Sequence, residues 1–259
     1  MSELIEEAVG RVIDSMREKL GEQLTLDDMA RIAMFSKFHF SRIFQRVTGV
    51  SPGRYLSALR LQEAKRLLVA TTLSVTDISH CVGYTSVGTF SSRFRSSVGI
   101  SPSTYRRLGG FSPEICVDTR RQHLSSGLPA IVRGHVAPPP AEPDLGPIFL
   151  GLFPDPMPQG RPVRCSVLHA PGPFELSDVP LGTWHLLSYS VAARRDMMVP
   201  NLRDHRDGLY VSSHGPITIR PETRTRSADL WLRPMSRLDP PVLLALLDRR
   251  ALQATTVEA

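Results

Sequence analysis

Residues Ser36 to Tyr55 recur fifty positions later as Ser86 to Tyr105. Ser36, Phe40, Ser41, Phe44, Gly49, Ser51, Pro52 and Tyr55 stand in register with Ser86, Phe90, Ser91, Phe94, Gly99, Ser101, Pro102 and Tyr105. A chain that repeats a unit at this spacing must build the same local structure twice. Each copy reads as a helix with paired phenylalanines on one side, a glycine terminator, and a Ser-Pro step that opens another helix.

The flanking sequence supplies the other helices of each copy. Leu4, Ile5, Ala8, Val9, Val12, Ile13, Met16 and Leu20 form a helical stripe opposite an acidic face, ended by Gly21. Thr25 caps the next helix, with Asp27 and Asp28 in its first turn, where the dipole favours acid. A turn through Met34 and Phe35 leads to Ser36 and a helix over Lys37–Thr48. Spacing at about 100° per residue puts Phe40, Ile43, Phe44 and Val47 inward, and Phe38, Ser41, Arg42, Gln45 and Arg46 outward. Pro52 to about Val69 is one long helix, roughly 30 Å at 1.5 Å per residue. In the second copy Ser74 caps a helix with Val75, Ile78 and Val82. The turn Gly83-Tyr84-Thr85 is one residue longer than its counterpart. Ser86 caps Val87–Val98, with Phe90, Phe94 and Val98 inward and Gly88, Thr89, Ser92, Arg95 and Ser96 outward. Arg93 and Ser91 lie at its flanks, and a short last helix ends in Tyr105-Arg106-Arg107.

Charge follows the repeat. Arg31 to Gly110 holds 12 Lys/Arg against 2 Asp/Glu, residues 1–30 hold 3 against 8, and Phe111 onward 16 against 15. The overall +6 is therefore concentrated on the repeated unit, which suits a polyanion. Arginine can pair bidentately with guanine, and an outward aromatic such as Phe38 can touch a thymine methyl. The other reading of Phe38 is packing on the preceding helix.

These residues resemble the AraC/XylS family of bacterial transcription regulators over about residues 5–108. The resemblance rests on Leu26, Met29-Ala30, Ser36, Phe40, Arg42, Phe44, Gly49, Ser51-Pro52, Tyr55-Leu56, Arg60-Leu61, Ala64 and Leu67-Leu68. In the second copy it rests on Ile78, Gly83-Tyr84, Ser86, Phe90, Phe94, Gly99, Ser101-Pro102 and Tyr105-Arg106. It implies a tandem helix-turn-helix domain that binds double-stranded DNA, with RNA polymerase as a further partner and activation favoured over repression. The family's base-contacting positions fall on Phe38, Ser41 and Arg42, and on Val87, Gly88, Ser91 and Ser92. Ser92 stands where the family commonly has arginine, with Arg93 one place later. The first copy is therefore expected to carry most of the base readout. The full candidate DNA-binding set is Ser36, Lys37, Phe38, Ser41, Arg42, Gln45 and Arg46, then Ser86, Val87, Gly88, Thr89, Ser91, Ser92, Arg93 and Arg95. The DNA-binding unit stands at the N-terminus, an uncommon order for that family.

Twenty of the 22 prolines follow residue 110, and the periodicity changes with them. Residues 109–127 read as a linker. Short strands are expected at Ala130–Val136, Pro147–Phe153, Val163–Leu168, Phe174–Ser177, Thr183–Val191, Leu209–Ser212, Ile217–Arg220 and Ala228–Arg233. Eight such strands suit a β-sandwich over 128–238. Thr183–Val191 is apolar on both faces, which makes it a central or covered strand. Phe174, Leu176, Val179-Pro180, Gly182-Thr183 and Trp184 resemble a strand–turn–strand passage of prealbumin-like or carboxypeptidase-regulatory-like sandwiches. Asp239-Pro240-Pro241 then opens an expected C-terminal helix within 239–252, with its stripe on Leu243, Leu246, Leu247 and Arg250. The fold class is thus an all-α tandem helix-turn-helix domain at 1–108, followed by an all-β sandwich and a short helix.

Catalytic signatures are missing. Histidines 135, 169, 185, 205 and 214 lack HExxH spacing, and there is no GxSxG elbow and no phosphate loop. Arg203-Asp204-His205-Arg206-Asp207 reads as a solvated turn. Cys81, Cys116 and Cys165 are too scattered for a metal site and suit free thiols in a reducing compartment. Apolar runs are too short for a bilayer, and the acidic N-terminus is unlike a signal peptide. The expectation is a cytoplasmic, non-enzymatic regulator with no cofactor and no membrane partner. Its sandwich would bind a small-molecule effector or mediate self-association as a homodimer. Two other readings give the sandwich an enzyme-like role on its ligand, or a purely structural role in dimerisation.

Overall fold

The computed structural model describes residues 2–110, 130–140, 145–192 and 208–245. The chain divides into two compact units. One contains Met1–Ser112, Met157–Arg161 and Arg237–Ala259, and the other Pro113–Pro156 and Pro162–Ser236. Most of the expected linker, with His205, Cys116 and the Arg203–Asp207 turn, lies outside the described residues.

The first unit carries seven helices among its described residues. They are α1 (Ser2–Glu18), α2 (Leu26–Ile32), α3 (Lys37–Thr48), α4 (Pro52–Ala70), α5 (Val75–Cys81), α6 (Val87–Val98) and α7 (Pro102–Arg107). Their ends follow from local chemistry. The Thr25 side chain accepts from the Asp28 backbone N–H while Asp28 reaches back to the Thr25 backbone, a reciprocal capping box that Ser74 and Asp77 repeat. The bond from the Thr25 hydroxyl, and then that from its backbone N–H, holds the Asp28 carboxyl below the usual aspartate range. With its folded pKa depressed, Asp28 supports the box fully above its unfolded value of about 3.9. That support is lost as pH falls through the folded value. Gly49 and Gly99 end α3 and α6 with φ of 78° and 97°, each N–H returning to a carbonyl four residues back.

The two copies share one core device. Phe44 meets Phe40 and Tyr55 edge to face, with both centroid distances 5.5 Å. Phe94 meets Phe90 at 5.7 Å and Tyr105 at 5.5 Å. All six rings are fully buried. Arginines tie each copy to the chain that precedes it. Arg60 Nε donates to Leu20 O at 3.0 Å, and Arg106 Nε donates to Leu68 O at 3.0 Å. Burial lowers the Arg60 pKa from the usual arginine value. On α4, Arg66 donates twice to Glu63, at 2.9 Å and 2.5 Å, which raises the Arg66 pKa.

Ser74 and Ser36 give a paired test of the caps. Ser36 takes the N-cap position of α3 but makes no side-chain cap bond. Ser74→Ala is expected to lower stability by about 1 kcal/mol, and Ser36→Ala to leave the melting curve in place. Parallel thermal melts compare them; equal losses would mean that both hydroxyls cap in solution.

Two segments remote in sequence complete this unit. Gly160 N–H donates to Ser97 O at 2.6 Å. Arg237 lies over α1, where a Cβ on Gly10 would collide with its guanidinium, and its Nη1 is 3.8 Å from Asp14 Oδ2. The Tyr55 hydroxyl lies 3.0 Å and 2.9 Å from the Arg237 and Asp239 carbonyl oxygens. Lys65 Nζ donates to Leu244 O at 3.1 Å, and Leu243 N–H donates to Pro158 O at 3.1 Å. Of the helix expected within 239–252, the described part is not helical: Asp239–Leu244 is irregular and Ala245 is a turn. Its carbonyls and N–H groups are taken by Tyr55, Lys65 and Pro158 instead of by one another. Leu246 onward lies outside the described residues.

The second unit has nine strands among its described residues: β1 (Ala130–Ala137), β2 (Leu145–Phe153), β3 (Arg164–Leu168), β4 (Gly172–Val179), β5 (Gly182–Ala192), β6 (Leu209–Ile219), β7 (Thr225–Ser227), β8 (Leu230–Trp231) and β9 (Arg233–Pro234). One sheet runs β4-β1-β7, with β8 also on β1, and the other runs β3-β2-β5-β6-β9. Val132 and Val136 from the first sheet join Ile148, Leu150, Leu152, Leu186 and Ile217 from the second in one core, as a sandwich requires. The strands expected at Leu209–Ser212 and Ile217–Arg220 are one strand, because a register shift between Trp184 and Leu186 absorbs the Gly215-Pro216 step. Ala228–Arg233 is instead broken into short pieces. As expected for a strand apolar on both sides, β5 is buried on both faces: Leu186 faces the core, while Leu187, Tyr189 and Val191 are buried opposite. The Pro180 turn is set by Trp184 Nε1, which donates to Pro180 O at 2.9 Å. Gly182 has φ of 142° beneath that ring, where a Cβ would stand 2.8 Å from Trp184 Cζ2.

Candidate nucleic-acid interface

The outward face of α3 is as the periodicity requires. Phe40, Ile43 and Phe44 are buried, while Ser36, Lys37, Phe38, Arg42, Gln45 and Arg46 are exposed and Ser41 is half-buried. Phe38 is 86% exposed, so it does not pack on α2. Phe35, in the turn before α3, is half-buried and stands edge-on to His39 of α3 at 5.0 Å. Phe38 therefore stands in solvent beside Arg42 and Ser41, an apolar surface of base-edge size flanked by hydrogen-bonding groups. Lys37 Nζ pairs with Asp27 Oδ2 at 2.8 Å, and Arg31 with Asp28 at 3.2 Å. These exposed pairs place acid at the start of α3 and leave Arg42 and Arg46 as the cations of its outer face.

The turns that aim these helices are built alike. Ala33 and Val82 follow α2 and α5, then Met34 and Gly83 take positive φ of 60° and 82°. Phe35 N–H returns to Ala30 O and Tyr84 N–H to Ser79 O. At Gly83 a Cβ would stand 2.6 Å from Leu20 O, which excludes a side chain there. Thr85 is the extra residue of the second turn.

On α6, Val87, Gly88, Thr89, Ser92, Arg93, Arg95 and Ser96 are exposed with Ser86, and Ser91 is half-buried. The Ser86 hydroxyl accepts from Thr89 N–H at 3.4 Å. This face is flatter than that of α3: it has no exposed aromatic, and its longest groups are Arg93 and Arg95. An open cleft of about 840 Å³ adjoins it, lined by Ser91, Ser92, Arg95, Ser96, Gly99, Ser101 and Arg161. Arg161 lies outside the set expected from sequence. It stands between two β-strands in the chain, and no local pattern there signals its approach to α6. A shallower cleft of about 450 Å³ lies at the start of α3, between Asp27, Arg31, Lys37 and Phe38.

Among the described residues, no group of three or more His, Cys, Asp or Glu could hold a metal ion. No described helix is long and apolar enough to cross a membrane. Among the described residues, neither Cys81 nor Cys165 forms a disulfide.

Comparison with known proteins places the likeness on the helical region. The helix-turn-helix domain family matches residues 29–108. The transcriptional activator AarP of Providencia stuartii is 34% identical over 98 residues, 38% of this chain and 73% of that protein. The RCS-specific transcriptional activator RclR of Escherichia coli K12 is 36% identical over 106 residues, 41% of this chain but only 37% of that protein. Among solved structures, an AraC-type DNA-binding domain protein from Chromobacterium violaceum is 29% identical, covering 40% of this chain and 93% of that one, with a TM-score of 0.39. The repeated capped helices, the buried ring triads and the matched relatives lead to one conclusion: this chain belongs to the AraC/XylS family of DNA-binding transcription regulators.

Proposed function

We propose that this regulator reads an asymmetric DNA site spanning two adjacent major grooves, with α3 in one and α6 in the next. The observation that carries this reading is the exposed Phe38–Ser41–Arg42 face set against the flatter Val87–Gly88–Ser92 face. Arg42 can take guanine O6 and N7 bidentately, and Phe38 can meet a thymine methyl. The α6 face offers little reach to base edges, so Arg93, Arg95 and the serine hydroxyls hold phosphate there and set register. The 19 residues of α4 span about 28 Å. That is comparable to the roughly 34 Å between successive turns of one DNA face, and it suits a spacer between two reading helices.

The relatives AarP and RclR are named activators, which supports activation and RNA polymerase as the second partner. The site of action is the cytoplasm. The sandwich, residues 128–238, acts in effector sensing or self-association; it is not an enzyme. A melting-temperature screen separates its two roles, because a ligand that binds only the folded state must raise the melting temperature. Self-association instead makes that temperature rise with protein concentration.

The test of DNA reading is binding-site selection with the full chain. It should recover one motif with two elements about one helical turn apart. Arg42→Ala is expected to relax preference at one position of the first element by about 1–3 kcal/mol, while Ser92→Ala leaves the motif intact. If Arg42→Ala weakened all sequences equally and Ser92→Ala relaxed preference, the roles of the two helices would be exchanged.

A further inference from the structure

The connection from β2 to β3 brings Met157–Arg161 into the helical unit. The loop touches α6 through its backbone, by the bond from Gly160 N–H to Ser97 O at 2.6 Å. Gly160 has φ of 72°, and a Cβ there would stand 3.0 Å from Ser96 O. A residue without a side chain is what permits this approach. The next residue, Arg161, is exposed and enters the lining of the open cleft beside α6. That lining brings two guanidinium groups, Arg95 and Arg161, together with the hydroxyls of Ser91, Ser92, Ser96 and Ser101. Guanidinium and hydroxyl donors around an open, solvated space fit a phosphate oxyanion. Ser91, Ser92, Arg95 and Ser96 also belong to the outward side of α6, so an anion in this cleft is continuous with a DNA strand lying along that helix.

We propose that Arg161 is a DNA-contacting residue that, with Arg95, clamps one backbone phosphate of the strand beside α6. The inference rests on the reading of α6 as a phosphate-holding helix. It extends the DNA-binding surface beyond the two helix-turn-helix copies, to a residue carried by the sandwich's own sequence. A phosphate contact carries no base information, so its loss weakens every duplex alike.

The experiment uses the full chain, a 30-base-pair duplex bearing the selected motif, and a scrambled duplex of equal length. Each is titrated from about 0.05 to 0.5 M salt. Arg161→Gln should weaken both duplexes about 3- to 10-fold near 0.1 M salt and reduce the slope of log K against log salt by about one. Arg161→Lys should retain most of the slope. Gly160→Ala, which pushes the loop off α6, should reproduce the loss. An unchanged slope and affinity for Arg161→Gln, with wild-type binding normal, would overturn the clamp and leave the regulator reading standing. Tighter binding by Arg161→Gln would also overturn it, showing that the loop obstructs the groove. Inorganic phosphate provides a control for a free anion. If Arg161→Gln abolished stabilisation by phosphate yet left duplex binding intact, the cleft would be a free-anion site and the clamp would fall. Absence of wild-type binding to either duplex would count against the DNA-reading assignment itself.

Discussion

Phe44→Ala is expected to unfold the first helix-turn-helix copy and abolish DNA binding. The ring is fully buried and is the middle member of an edge-to-face triad with Phe40 and Tyr55. Truncation removes the transfer free energy of the ring and leaves a cavity, together worth about 3–5 kcal/mol. Breaking each edge-to-face pairing adds about 0.5–1.5 kcal/mol. Against a typical domain stability of about 5–15 kcal/mol, this removes most of the margin. Phe44→Leu keeps much of the volume and should cost far less. Urea unfolding followed by helical circular dichroism reads both. A Phe44→Ala midpoint within experimental error of the wild type would mean that the triad is not the keystone of the copy. Phe94→Ala tests the same device in the second copy, where Tyr105 takes the place of Tyr55.

Ending the chain after Ser236 should damage the helical unit. Val242, Leu243, Leu244 and Ala245 are all buried, the last three completely. Burying two leucine side chains is worth about 3–6 kcal/mol. The truncation also takes Arg237 from Gly10 and Asp14, and the carbonyl partners of Tyr55 and Lys65. The expected result is a protein that no longer binds its selected duplex, with its helical signal melting at lower temperature. Tyr55→Phe removes a single hydroxyl and should cost about 1 kcal/mol, which separates the hydrogen bond from the burial. A truncated chain with unaltered melting and DNA affinity would show the tail to be dispensable.

The helical half was legible because its determinants are local. Thr25 with Asp28, Ser74 with Asp77, and the left-handed glycines 49 and 99 are decided within four residues. The phenylalanine spacing determines the inward face, and hence which arginines point outward. Ser36 and Ser51 show the limit of such reading: both hold cap positions without making a side-chain cap bond. Phe38 left two options that only packing could separate, and its exposure removes the one in which it packs on α2. In the sandwich, alternation located the strands but not their lengths, since a register shift carries β6 through Gly215-Pro216. The approach of Gly160 to Ser97, and of Leu243 to Pro158, joins residues far apart in sequence through backbone groups. Backbone contacts carry no residue signature, so neither Arg161 nor the irregular tail could be placed from pattern alone.

That the helical unit is assembled from three separate stretches of chain has a consequence for synthesis. The seven helices leave the ribosome well before the other two stretches, and the unit cannot close until Met157–Arg161 and then Arg237–Ala245 have followed. During the interval the nascent helices hold open positions that their own neighbours in sequence cannot fill. A stop codon ahead of Arg237 therefore falls on the DNA-binding part of the protein, although its reading helices lie far upstream. The expected consequence is a regulator that becomes active only after translation through residue 245.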